Sequence, residues 1–184
     1  MLYNNWINIL ELYILRHGET SKKLYNFVDS NHSLTFSGKS EIEKIGKSIK
    51  KLKIKIDLIL TSTISSSLET ADIINNLFSK KIKILKCKDL QPEGNILNVY
   101  KIISEFNQMS SILIVGHEPC LSTMISDIIS NSSNKNKTNN DIKSNSNIIL
   151  KKAGLSKIRI TSTVPTLQGE LRWLLTPRVL KSII

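Results

Sequence analysis

The sequence predicts an α/β fold, a three-layer αβα sandwich around a mainly parallel sheet with an antiparallel strand at its edge. Short apolar runs at 12–15, 56–60, 82–85 and 112–115 have the length of strands buried on both faces. Amphipathic stretches with helical spacing separate them, and such alternation builds a parallel sheet covered by helices. Two later runs, 156–161 and 170–175, also read as strands and supply the antiparallel edge.

Each helix has its own signal. Ile42, Ile45, Ile49 and Leu52 fall three or four residues apart, forming one apolar stripe, and Thr35 or Ser37 is placed to cap it. A second helix is expected over about 67–78, burying Leu68, Ala71, Ile74 and Leu77. A third covers about 96–106, and a fourth starts after Pro119. The segment 130–147 breaks the pattern, with seven Asn, five Ser and three Lys and only Ile142 as an aliphatic residue. It cannot bury enough apolar surface to offset the entropy of ordering, so it is expected to be a disordered surface loop. There is no internal repeat, and residues 1–184 are expected to form one domain.

Composition narrows the function classes. The net charge is +11, but lysines are spread along the chain, arginines number four (Arg16, Arg159, Arg172, Arg178) and aromatics make up 5%. Binding of single-stranded nucleic acid needs stacking platforms beside the charge, so no specific nucleic-acid partner is expected. The apolar N-terminal stretch is interrupted by Asn4, Asn5, Asn8 and Glu11, and no run approaches the roughly 20 residues of a membrane helix. Cys87 and Cys120 do not form a disulfide framework. A cytoplasmic protein without a membrane partner is the expectation, with oligomeric state open.

The string Leu15-Arg16-His17-Gly18-Glu19-Thr20 follows directly on the first strand. Ligand sites of open α/β sheets lie beyond the carboxyl ends of strands. A neutral imidazole can attack phosphorus when its other nitrogen is held as a donor. The planar fork of Arg16 matches two phosphate oxygens. Gly18 is expected to bring backbone close to the anion and to use dihedrals other residues avoid. A second strand runs into Gly116-His117-Glu118-Pro119. Two histidines thus sit at equivalent strand-to-helix exits, where adjacent parallel strands would bring them together. His117 would then bind an equatorial phosphoryl oxygen while His17 attacks in line.

LRHGET, LTFSG, TSTISSSLETA and VGHEP stand in the order and spacing found in the histidine phosphatase superfamily. The chain resembles this superfamily from about 12 to 177, LKKAG at 150–154 and WLLTP at 173–177 included, and within it the short SixA-type phosphohistidine phosphatases. The resemblance implies a phosphoglycerate mutase-like fold, a covalent phosphohistidine on His17, no metal or other cofactor, and Arg16 and His117 as phosphate ligands. Gly18, Ser66 and Thr20 are the further candidates for phosphate binding.

Relatives carry a second arginine in a pattern like S-P-x-x-R-x-x-x-T. Counted back from Thr70, that position is Ser66 here, and Thr63 replaces the proline. Serine offers one neutral hydrogen bond and no charge. Losing a charge-assisted phosphate contact costs roughly 10²–10³ in rate. Lys22, Lys23 and Arg172 are the candidates for a substitute charge. The leaving-group proton donor is open between Glu93, in Gln91-Pro92-Glu93-Gly94, and Glu19. His32 falls where relatives often have a basic residue, at the pocket rim or in a solvated loop.

Competing chemistries fail on spacing. A cysteine phosphatase needs C-x₅-R, but Ser126 stands six residues after Cys120, and Glu93 six after Cys87. His117-Glu118-Pro119-Cys120 meets neither H-E-x-x-H nor the zinc-deaminase pattern. The expected activity is a metal-independent phosphatase acting on protein phosphohistidine or a small phosphate ester. The alternative is a weakened or inactive binder of phosphoproteins on the same fold.

Overall fold

A computed structural model describes residues 10–21, 33–133 and 148–184. Six strands form one sheet: β1 (Glu11–Arg16), β2 (Leu58–Thr61), β3 (Lys83–Lys86), β4 (Ser111–Gly116), β5 (Leu155–Ser162) and β6 (Gln168–Leu175). Their order is β3-β2-β4-β1-β5-β6, with β1 to β4 mutually parallel. Both β5 and β6 pair antiparallel to their neighbours, so the antiparallel part is two strands wide and ends at β6.

The helices are α1 (Phe36–Lys51), α2 (Ser65–Asn76), α3 (Ile96–Glu105), α4 (Cys120–Ser133) and a short α5 (Pro177–Lys181) that sequence periodicity did not indicate. Thr35, not Ser37, is the N-cap of α1, its Oγ1 accepting from the Gly38 N–H at 2.9 Å. Leu52, expected in the buried stripe, is the C-cap instead and is exposed. Alternation along β1 divides the core. Tyr13 and Leu15 join Ile42, Ile45, Ile49, Ala71, Ile74 and Leu180 on the face covered by α1, α2 and α5. Leu12 and Ile14 join Val99, Ile103, Leu121 and Ile125 on the face covered by α3 and α4. These are the three predicted layers.

Two expectations need correction. Helix α2 begins at Ser65 and turns Ser66, Ser67, Thr70, Ala71 and Ile74 inward, leaving Leu68 and Leu77 half-buried. Small hydroxyl side chains occupy the inner face because that turn packs beside the strand exits, where Ser67 and Thr70 find polar partners. The expected loop at 130–147 is helical over its first residues, since α4 runs to Ser133. Residues 134–147 lie outside the described residues, as do Lys22, Lys23 and His32.

Candidate active site

The parallel register aligns Arg16 with Gly116, so His17 and His117 leave the sheet side by side. The chain then turns to α1 on one face after β1 and to α4 on the other after β4. Adjacent connections that diverge in this way open a crevice at the carboxyl ends of the strands. The two rings lie there with centroids 4.6 Å apart, inclined at 47°. Both are nearly buried, at 7% and 6% exposure.

The tautomer of His17 follows from its neighbour. Nδ1 lies 2.7 Å from the Gly18 carbonyl oxygen, which can only accept. Nδ1 therefore carries the proton in the neutral ring, and the lone pair resides on Nε2. His117 Nε2 is 2.9 Å from Ser67 Oγ, in the first turn of α2.

Arg16 is held from a third side. Its Nη1 donates to Leu150 O at 3.0 Å, while Nε is buried without a hydrogen-bond partner among the described residues. The turn that supplies Leu150 clasps the end of β1. The Ala153 N–H lies 3.1 Å from both Arg16 O and His17 O, with Ala153 in the left-handed region at φ 57°. An L-residue held there costs about 1–2 kcal/mol, so the clasp is kept against a local penalty.

Helix α2 brings Ser66 and Ser67 to the same locality. Ser67 touches His117, and Thr70 Oγ1 accepts from the Gly18 N–H at 3.3 Å while donating to Ser66 O at 2.7 Å. Ser66 is 1% exposed, and its Oγ has no hydrogen-bond partner among the described residues. Gly18 does not use the backbone freedom expected of it, since no glycine in the described residues has positive φ. Its need is space: a Cβ there would lie 2.8 Å from Ile42 Cγ1 and 3.1 Å from Gly38 O.

The remaining candidates sit further out. Thr20 forms an isolated bridge with Leu34, and its Oγ1 accepts from Lys152 Nζ at 3.2 Å. Glu19 accepts from Ser37 Oγ at 2.5 Å and Thr35 Oγ1 at 3.2 Å. These hydroxyls, Ser37 first, hold its carboxyl below the usual value, and the charge of Lys152 adds to them. Glu93 is exposed in the turn before α3. That turn leans on the β2–α2 connection through Gln91 Nε2, which donates to Thr63 Oγ1 at 2.8 Å. Arg172 is on edge strand β6, two strands from β1, paired with Glu170. Cys120 is buried and its thiol is pushed up to about 12, chiefly by desolvation, which removes it as a nucleophile near neutrality.

Three contributors went unread in the sequence: Ser67, Thr70 and Lys152. Ser66, Ser67 and Thr70 do share helical spacing with Ala71 and Ile74, and that spacing was the available signal. Among the described residues, no group of three or more His, Cys, Asp or Glu is arranged to hold a metal ion. No helix among them is long and apolar enough to cross a membrane.

Residues 12–91 match the model of the histidine phosphatase superfamily, branch 1. Over this stretch the chain is similar to the histidine phosphatase superfamily. The mitochondrial serine/threonine-protein phosphatase Pgam5 of Drosophila persimilis is 35% identical over 79 residues, which is 42% of this chain and 27% of that protein. Among solved structures, the protein histidine phosphatase SixA complexed with tungstate superposes with a TM-score of 0.74 at 17% identity, covering 91% of this chain and 97% of that one. The alpha-ribazole phosphatase from Shigella flexneri reaches 0.70 at 17% identity, over 91% and 96% of the two chains. Identities of 17% speak for the fold alone, and that fold hosts both of these named activities.

Proposed function

We propose that this chain is a metal-independent phosphatase that works through a phosphohistidine on His17, with protein phosphohistidine as its preferred substrate. One observation carries this: the side-by-side histidines, with the His17 proton held on Nδ1 by Gly18 O. Nε2 is thereby the nucleophile. It forms a bond to phosphorus as the bond to the leaving nitrogen or oxygen breaks, and water then attacks the phosphoenzyme to release phosphate. Arg16 and His117 bind the equatorial oxygens, whose charge must be balanced in the transition state. Gly18 and Ser66 line the phosphate side, and Thr20 stands further out beside Lys152.

Glu93 is the better candidate for the leaving-group proton. The Glu19 carboxyl is lowered and already occupied by Ser37 and Thr35, which makes it the poorer acid. Imidazole leaves more readily than an alkoxide, so a phosphohistidine substrate relaxes this demand. Glu93→Gln is expected to reduce hydrolysis of an alkyl phosphate while sparing phosphohistidine; equal loss on both would remove Glu93 from the role.

The direct test traps the intermediate. Wild type incubated with a labelled phosphohistidine protein and quenched in alkali retains label on the chain, whereas His17→Ala retains none. Label on the His17→Ala variant would overturn the assignment.

A second reading is favoured by the buried neutral Ser66. Without a second cation the crevice would bind a phosphorylated partner but turn it over slowly. Vanadate affinity measured beside turnover separates the two, since tight binding without hydrolysis marks a binder.

A further inference from the structure

The side chain of Ser67 has one hydrogen-bond partner among the described residues, the ring of His117. Ser67 is fully buried, and its Oγ lies 2.9 Å from His117 Nε2. The direction of the bond follows from counting protons. A serine hydroxyl has one proton to donate and lone pairs to accept with. Left unpaired in the interior, that proton disfavours the folded state. A protonated Nε2 would donate to Oγ and leave the hydroxyl proton without an acceptor. An unprotonated Nε2 satisfies both groups at once.

We propose that Ser67 is a positioning residue whose hydroxyl donates to His117 Nε2, fixing the ring and holding the imidazole neutral with its proton on Nδ1. Its catalytic meaning rests on the phosphatase reading: His117 addresses the phosphoryl oxygen as a neutral N–H donor, and positive charge there comes from Arg16 rather than from an imidazolium. The two histidines then share a tautomer but use opposite nitrogens. His17 commits Nδ1 to Gly18 O and attacks with Nε2. His117 commits Nε2 to Ser67 and donates from Nδ1.

The test reads the ring nitrogens directly, by long-range proton–nitrogen correlation NMR of the ¹⁵N-labelled full chain at neutral pH. With three histidines in the sequence, His17→Gln and His117→Gln assign the signals by loss. In wild type, His117 Nε2 is expected in the lone-pair range and Nδ1 in the protonated range. Ser67→Ala should convert His117 to the Nε2-protonated form or a mixture, with turnover falling roughly fivefold to tenfold, as loss of one neutral hydrogen bond predicts. A protonated Nε2 in the wild type, or an unchanged nitrogen pattern in Ser67→Ala, overturns the proposal. Should Ser67→Ala not fold, the wild-type spectrum decides alone. Absence of a phosphoenzyme with the wild-type pattern as expected would sink the phosphatase reading and leave the placement of the proton intact; a phosphoenzyme with the wrong pattern would do the reverse.

Discussion

The crevice has two walls built by different means. One is the paired exits of β1 and β4, which hold His17, His117 and Arg16 through sheet register, the Gly18 carbonyl and the clasp at Leu150 and Ala153. The other is the first turn of α2, which presents hydroxyls, Ser66 and Ser67, and no charged side chain. The first wall carries a formal charge and, in the proposed reading, the nucleophile. The second carries buried neutral hydroxyls. The difference teaches that a scaffold can fix the geometry of a site without fixing its electrostatics, because backbone register and side-chain charge are set by separate interactions.

The largest effect should come from the charged wall. Arg16→Ala removes the cation beside the histidine pair and leaves Leu150 O without its donor. Turnover should fall by roughly 10²–10³, the usual loss when a transition-state donor is removed. Melting temperature distinguishes this from misfolding: a modest shift with collapsed turnover supports the assignment. If turnover falls less than tenfold in a folded variant, the anion is neutralised elsewhere, and Lys152, held at Thr20 Oγ1, becomes the next residue to replace.

A smaller effect, of opposite sign, is expected at the neutral wall. Ser66→Arg adds a cation to the inner face of α2, at a position with 1% exposure and a hydroxyl without a partner among the described residues. A guanidinium that reaches the crevice should raise turnover about 10-fold to 10²-fold, less than the full value of a preorganised donor, because packing must yield around the longer side chain. Unchanged turnover, from a wild type that is already fast, would show that the charge deficit has no kinetic consequence.

The two walls also differed in how far they could be read in advance. Strand runs, helix order and the histidine exits were legible because buried strands announce themselves as apolar runs and RHG and GH follow them directly. The inner face of α2 was not. Leu68 and Leu77 drew the apolar stripe away from Ser66, Ser67 and Thr70, since hydrophobicity is a poor guide where a helix packs its first turn against polar groups. Leu150 and Lys152 lay in the LKKAG string, but their contacts were not legible, because they join segments some 130 residues apart. Gly18 was expected to use backbone freedom, which it does not; the close packing of Ile42 against it requires the final chain path.

The smallest effect sharpens the border between scaffold and chemistry. Glu19 lies two residues after His17, yet its carboxylate serves Ser37 and Thr35 at the start of α1. Glu19→Gln should therefore change turnover less than twofold to threefold, on the order expected for a group outside the reacting atoms. Its mark should appear in stability and depend on pH. Because the folded carboxyl titrates below the unfolded one, the ionised form favours folding. That contribution is complete above the unfolded carboxyl value of about 4.3 and fades as pH falls through the lower folded value. Wild type should thus melt slightly above Glu19→Gln at neutral pH, with the two curves converging in acid. A gap that widens in acid would mean the protonated carboxyl is the form the fold prefers, and would return Glu19 to contention as the proton donor.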